Sequence, residues 1–262
     1  MALEFIKVFI IFNLILTGSI IIYLNHNHVI TAGESLSSRA TQGTNIGTYP
    51  FMAALLRAPT GTNYQHSCAG TILNNRSVLT AARCVYEDAP SRWRFRLGSS
   101  RHNSGGNVYA VTVIYFYRNF DEWAMMSDIA IVRTNTNIRF GNNVRAGSFA
   151  GRYYIVGNNQ PVSTVGWGYT STTIALNTCR THYSAQGFFI REESQICSGF
   201  SNPGSVSANN ARDKCLGEPG APLIHLGTIV GVRSYALSCN SPAVPTVSTR
   251  VGYFISWIST YA

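Results

Sequence analysis

Cys215-Leu216-Gly217-Glu218-Pro219-Gly220-Ala221-Pro222 sets a cysteine ahead of a loop built from glycine, proline and one acid. Pro219, at its centre, carries no side-chain hydroxyl and no backbone N–H. Two other stretches hold residues of comparable chemical weight. Val78-Leu79-Thr80-Ala81-Ala82-Arg83-Cys84 ends on an arginine beside a cysteine, and Ser127-Asp128-Ile129-Ala130-Ile131-Val132 sets one carboxylate ahead of an apolar run. The Arg83 guanidinium stays protonated at physiological pH and offers donors only, so it cannot take a proton from a hydroxyl or a water.

Between these stretches the chain alternates short apolar runs with turns. From Tyr49-Pro50-Phe51 onward the runs are Met52 to Leu56, Gly70 to Leu73, Trp93 to Leu97, Val108 to Ile114 and Ile129 to Val132, with Gly, Asn, Pro and Ser in the gaps. A period near two with such punctuation predicts antiparallel strands. Asn177 to Tyr183 and Gly252 to Tyr261 read as helices, the second closing the chain with Trp257 and Ile258 packing inward. At 262 residues core burial is not limiting. Charged residues at 12% and aromatics at 12% argue against disorder and for a packed, strand-rich extracellular domain.

The balance of 20 basic against 11 acidic side chains, formally +9, favours acidic partners such as sulfated glycans, anionic lipid or acidic proteins. The densest basic run, Arg92-Trp93-Arg94-Phe95-Arg96, alternates like a strand with its arginines in solvent. Val8 to Leu24 is apolar apart from Asn13, Thr17, Gly18 and Ser19 and follows Lys7. Residues 1–27 therefore read as a cleaved secretory signal, or else as an uncleaved signal anchor; either places the domain outside the cytosol, and a membrane is a partner only if the segment is retained. Residues 28–39 read as an exposed linker or activation-peptide-like segment. Six cysteines suit that compartment but do not choose their own pairing. No CxxC spacing suggests a metal, and no phosphate-cradling glycine loop or nucleic-acid motif appears, so neither cofactor nor nucleic acid is expected. Asn75-Arg76-Ser77 is a clean glycosylation sequon.

Three of these stretches together resemble the chymotrypsin/trypsin family of serine proteases (peptidase S1). The family's nucleophile loop reads Cys-x-Gly-Asp-Ser-Gly-Gly-Pro, so Glu218 stands for the buried aspartate, Pro219 for the serine and Ala221 for a glycine. Its Thr-Ala-Ala-His-Cys signature puts Arg83 at the general base, and its Asp-Ile-Ala-Leu segment puts Asp128 at the orienting carboxylate. Ser163-Thr164-Val165-Gly166-Trp167-Gly168 resembles the strand entering the second barrel. The resemblance implies an all-β fold over residues 40–262: two six-stranded antiparallel barrels packed together, a boundary near 145–160, a short intermediate helix and a C-terminal helix. It also implies three disulfides, Cys68 with Cys84, Cys179 with Cys197 and Cys215 with Cys239.

For function, the resemblance implies that the two triad members that do chemistry are replaced, and that Pro219 removes one of two oxyanion donors, leaving Gly217 as the remnant. Asp213 falls on the base of the specificity pocket, Ser234 and Ala236 lie on its wall, and Thr246 takes another wall glycine's place, so the slot should be narrowed. Arg39-Ala40 is where an activating cut would fall, but Ala40-Thr41-Gln42-Gly43 is a poor match to the family's apolar new terminus. His66, two residues before Cys68, either pairs with Glu218 or is a core histidine bonded to backbone, while the Arg83 side chain is expected to pair with Asp128, Ser234 adding its hydroxyl to that acid. The expected function is a secreted, non-catalytic protease homologue that binds a protein partner, inhibitor or substrate as a decoy or regulator. The alternatives are an active trypsin-like endopeptidase and a polyanion-binding module of the same fold.

Overall fold

The computed structural model describes residues 45–166, 170–173, 176–199, 218–237 and 244–262, of which 170–173 by backbone alone. By its contacts the chain divides into residues 1–38 and 39–262, and every described residue belongs to the second unit.

The amino-terminal half of that unit is one antiparallel sheet: β1 (Met52–Arg57), β2 (Gln65–Ile72), β3 (Ser77–Thr80), β4 (Trp93–Leu97), β5 (Asn107–Ala110), β6 (Val113–Phe116) and β7 (Ala130–Arg133), in the order β5-β4-β1-β2-β3-β7-β6. Seven strands are named where six were expected, because one strand bends. β5 pairs with β4 and β6 with β7, and only Val111 and Thr112 separate them. The Val111 amide donates to the Trp93 carbonyl at 3.1 Å and the Thr112 amide to that of Arg133 at 2.8 Å, so hydrogen bonding passes from one edge of the sheet to the other. The bent ribbon curls the sheet towards a six-stranded barrel, with β5 and β6, its two end strands, joined through the bend.

Period two fixes what fills it. On β4, Trp93, Phe95 and Leu97 point inward and are buried, against Leu55, Ile72, Val78 and Val132 from neighbouring strands. Each such burial is worth about 1.5–3 kcal/mol relative to exposure. The arginines between them face outward with contacts of their own. Arg94 lies 4.3 Å over the Tyr64 ring, Arg92 reaches Asp88 at 3.1 Å, and Arg96 donates to carbonyls of the 102–105 loop.

The carboxy-terminal half is a closed six-stranded barrel. Its strands are β8 (Pro161–Thr164), β9 (Thr170–Thr173), β10 (Gln195–Gly199), β11 (Pro222–His225), β12 (Thr228–Tyr235) and β13 (Thr246–Arg250), ordered β10-β13-β12-β11-β8-β9. A single helical turn, α1 (Ala82–Val85), follows β3; α2 (Leu176–Ser184) crosses between β9 and β10; and α3 (Val251–Tyr261) ends the chain. Helix α3 buries Val251, Phe254 and Ile258 at helical spacing, in a cluster holding Leu79, Ile129 and Ile131 of the first barrel with Ala221, Ile224, Ile229 and Val232 of the second. That shared cluster seals the two barrels together, and Tyr117 sets its ring against Phe254 and Trp257 at 4.9 and 5.7 Å.

Two of the expected disulfides are formed: Cys68–Cys84 ties α1 to β2, and Cys179–Cys197 ties α2 to β10. The Cys215–Cys239 pairing lies outside the described residues, as do residues 1–44, Trp167 and Gly168. Asn75 stands exposed on the turn between β2 and β3.

Candidate functional site

The site forms where the barrels meet, and each half supplies a piece of backbone to the other. The Ala69 amide on β2 donates to the Pro219 carbonyl at 2.9 Å, while the Gly220 amide donates to Arg233 on β12 and the Arg233 amide to Ala221, both at 2.8 Å. The loop at 218–221 is thus pinned from both sides. Gly220 is required there. Its φ is +82°, and a Cβ would collide with the Ala69 carbonyl and with the Thr80 hydroxyl, which itself donates to Ala69 at 2.7 Å.

Asp128 is fully buried at the same junction. Its Oδ1 accepts the Arg83 backbone N–H at 2.8 Å, its Oδ2 accepts the Ser234 hydroxyl at 2.5 Å, and its carbonyl accepts the Thr249 hydroxyl at 2.8 Å. Ser127, just before it, has φ +54°, a conformation that costs a non-glycine residue on the order of 1 kcal/mol and persists where the surroundings over-determine it. Burial raises the Asp128 carboxyl above the ordinary aspartate value; the Ser234 hydroxyl, the Arg83 amide and the Arg83 charge oppose that rise.

The expected side-chain pair between Arg83 and Asp128 is not what forms. The exposed Arg83 side chain turns its Nη1 to the Ser234 carbonyl at 3.2 Å, and it makes no ion pair with Asp128 among the described residues. Once the carboxylate oxygens are taken by a backbone amide and a hydroxyl, a guanidinium gains more by staying at the water-accessible rim than by entering the junction. The Ser234 part of the expectation holds.

His66 and Glu218 do come together. His66 Nε2 lies 3.3 Å from Glu218 Oε2, with the two side chains 14% and 28% exposed, and the His66 ring stacks on His102 at 4.5 Å between centroids. Of the pocket positions, Ser234 and Thr246 are each 1% exposed and Ala236 is half-buried. Asp213, Gly217 and the Arg39-Ala40 bond lie outside the described residues.

Two features escaped the sequence reading. The first is Arg233, an arginine 4% exposed within the second barrel, whose signal was a charged residue inside the otherwise apolar and small run Ile229 to Tyr235. Burial first, and then the neighbouring Arg83 charge, press its pKa down to about 10, so it is still a cation at neutral pH. The second is Asp88, which gathers Arg57 Nε at 2.6 Å, Arg92 Nη1 and Trp93 Nε1 both at 3.1 Å. Burial favours its neutral form, but the hydrogen bonds and charges of Arg57 and Arg92 outweigh it and hold the carboxyl below the usual range.

Paired antiparallel barrels with a carboxylate, an arginine and a proline-bearing turn at their junction define a protein of the chymotrypsin-like fold. The chain belongs to the trypsin family, whose profile, described as Trypsin, matches residues 39–258. It is 38% identical to alkaline trypsin C of Manduca sexta over 82% of this chain and 87% of that one, and 37% identical to trypsin CFT-1 of Choristoneura fumiferana over 84% and 88%. Among solved structures it is similar in fold to the scabies mite inactivated protease paralogue S-D1, with a TM-score of 0.69 at 24% identity, covering 84% of this chain and 95% of that one. Paralogue S-I1 gives a TM-score of 0.68 at 24% identity, over 84% and 97%.

Proposed function

We propose that this chain is a secreted, non-catalytic member of the trypsin family that acts as a binding, decoy or regulatory protein. The observation that carries the reading is the pair Arg83 and Pro219, standing beside the buried Asp128 and in the turn pinned to Ala69. Acyl transfer to water needs a nucleophile and a base that can take its proton. A permanent cation and a residue with neither hydroxyl nor N–H supply neither part, and Asp128 is left accepting hydrogen bonds that hold the two barrels together. His66 beside Glu218 occupies the loop acid and keeps the loop zymogen-like whether or not Arg39 is cut. Residues 1–27 serve as the export signal.

The named relatives are trypsins, so the competing reading is an active endopeptidase. Turnover of an unstructured protein substrate, which offers apolar as well as basic side chains to the cleft, separates the two. The purified chain, before and after cleavage at Arg39, is expected to match the buffer blank; turnover that rises with protein concentration and is stopped by a covalent serine inhibitor would overturn the proposal. The polyanion reading has less support, since Arg92, Arg94 and Arg96 are spent on Asp88, on Tyr64 and on loop carbonyls.

A further inference from the structure

The second barrel buries a cation, Arg233, on the strand that also carries Ser234, one of the expected pocket residues. Arg233 lies opposite Ser248 across the β12–β13 ladder, and residues directly opposite in an antiparallel pair project to the same face. Gly231, two residues before it, identifies that face: a Cβ there would sit 3.1 Å from the Ser248 Cβ, 3.2 Å from the Leu223 Cβ and 3.3 Å from Ile196, inside the barrel. Arg233 therefore projects inward, from a point whose backbone bonds to Gly220 and Ala221 place it one residue from Pro219.

Next along the same face is Thr246, opposite Ser198. The hydroxyls of Ser198, Thr246 and Ser248 are all buried and have no hydrogen-bond partner among the described residues. Tyr183 donates to the carbonyl of Pro245, next to Thr246. The result is a row of buried hydroxyls on the inner face of the barrel, next to the loop at 218–221, that shares its face with an arginine. The acids Asp128 and Glu218 act on that arginine favourably and Arg83 unfavourably. A buried guanidinium is retained only with such compensation.

We infer that Arg233 is a resident occupant of the specificity slot: its side chain takes the room on the inner face, beside Thr246 and Ser248, that the basic side chain of a guest peptide would otherwise use. A guest cation would have to enter beside a cation already there, with less water to screen the two. The closure is separate from the loss of chemistry. Even were the chain to prove catalytically active, the slot would still reject arginine and lysine side chains, because Arg233 acts on binding and not on bond breaking.

Benzamidine, a small aromatic cation that needs only the slot, reads this directly through its effect on thermal unfolding. At ~10 mM it is expected to leave the wild-type chain and a Thr246→Gly variant unshifted, and to raise the melting temperature of Arg233→Val/Thr246→Gly by about 2 °C or more. A comparable shift in the wild-type chain or in Thr246→Gly alone would overturn the inference, and so would no shift in a double variant that still melts cooperatively. Should the double variant not fold, modification of the native wild-type chain by phenylglyoxal, followed by peptide mapping, decides. Arg233 is expected to react at least ~10-fold more slowly than the exposed Arg83, and equal rates would refute the inference.

Discussion

The two barrels treat charge in opposite ways. In the first, the strand Trp93–Leu97 sends its aromatic and aliphatic side chains inward and its arginines outward, and the interior is apolar. In the second, the strand Thr228–Tyr235 carries its arginine inward, among buried hydroxyls and near Tyr183. Burial drives the Tyr235 hydroxyl up to about 12, and Tyr183 is raised by burial as well, so both are neutral at physiological pH. The first barrel is a stability module that any trypsin-like chain needs. The second keeps the same fold around a buried arginine, and under the proposed function that interior no longer receives a substrate's side chain.

The contrast should show first in stability. Trp93→Ala removes a side chain 1% exposed from the apolar barrel together with its indole bond to Asp88, and should cost about 3–5 kcal/mol in urea unfolding. Ser234→Ala at the junction should cost less, about 2 kcal/mol, because one hydrogen bond to a buried carboxylate is lost. The sign of its pH dependence follows from Asp128. That carboxyl is raised in the folded chain, and the Ser234 hydroxyl favours its ionised form. The cost of the substitution should therefore be small in acid and grow as pH rises through the titration of Asp128. Uniform cost across that range would contradict the assignment.

Asp88→Asn should cost about 1–2 kcal/mol at neutral pH. Asp88 is depressed in the folded state, so the stability it contributes is present above its unfolded value and is lost as pH falls through its folded one. The variant should flatten the acid limb of the stability profile, whereas an unchanged limb would remove Asp88 as the organiser of β4. Arg83→Ala should have the smallest effect, about 1 kcal/mol or less, because the bond to Asp128 comes from the backbone amide and survives. A loss as large as that of Ser234→Ala would restore the side-chain pair that the structure does not contain.

What the sequence made legible falls along the same divide. Alternation located β4 to the residue and set its arginines outside, and Met52 to Leu56 became β1 with one residue added. It failed at Val108 to Ile114, where strand bending at Val111 and Thr112 is a matter of barrel closure and carries no local signal. It was silent on most of the second barrel, where strands such as β10 and β13 are buried along nearly their whole length and show no polar face. The approach of His66 to Glu218 was one of two open readings, because His66 sits two residues before Cys68 and Glu218 lies in the matched loop, and the structure brings the two together. Arg233 could not be, since whether an arginine in a strand snorkels outward or is enclosed depends on partners brought in from Ser248, Thr246 and the 218–221 loop, all distant in sequence. The error at Arg83 is of the same kind, as the backbone amide reached the carboxylate before the side chain could.

Fluorophosphonate labelling of the purified chain, cut or uncut at Arg39, with intact-mass readout, tests the central claim most directly. With Arg83 and Pro219 in place, no adduct should appear under conditions that label an active trypsin to completion. A single stoichiometric adduct on any serine lining the cleft would contradict the account.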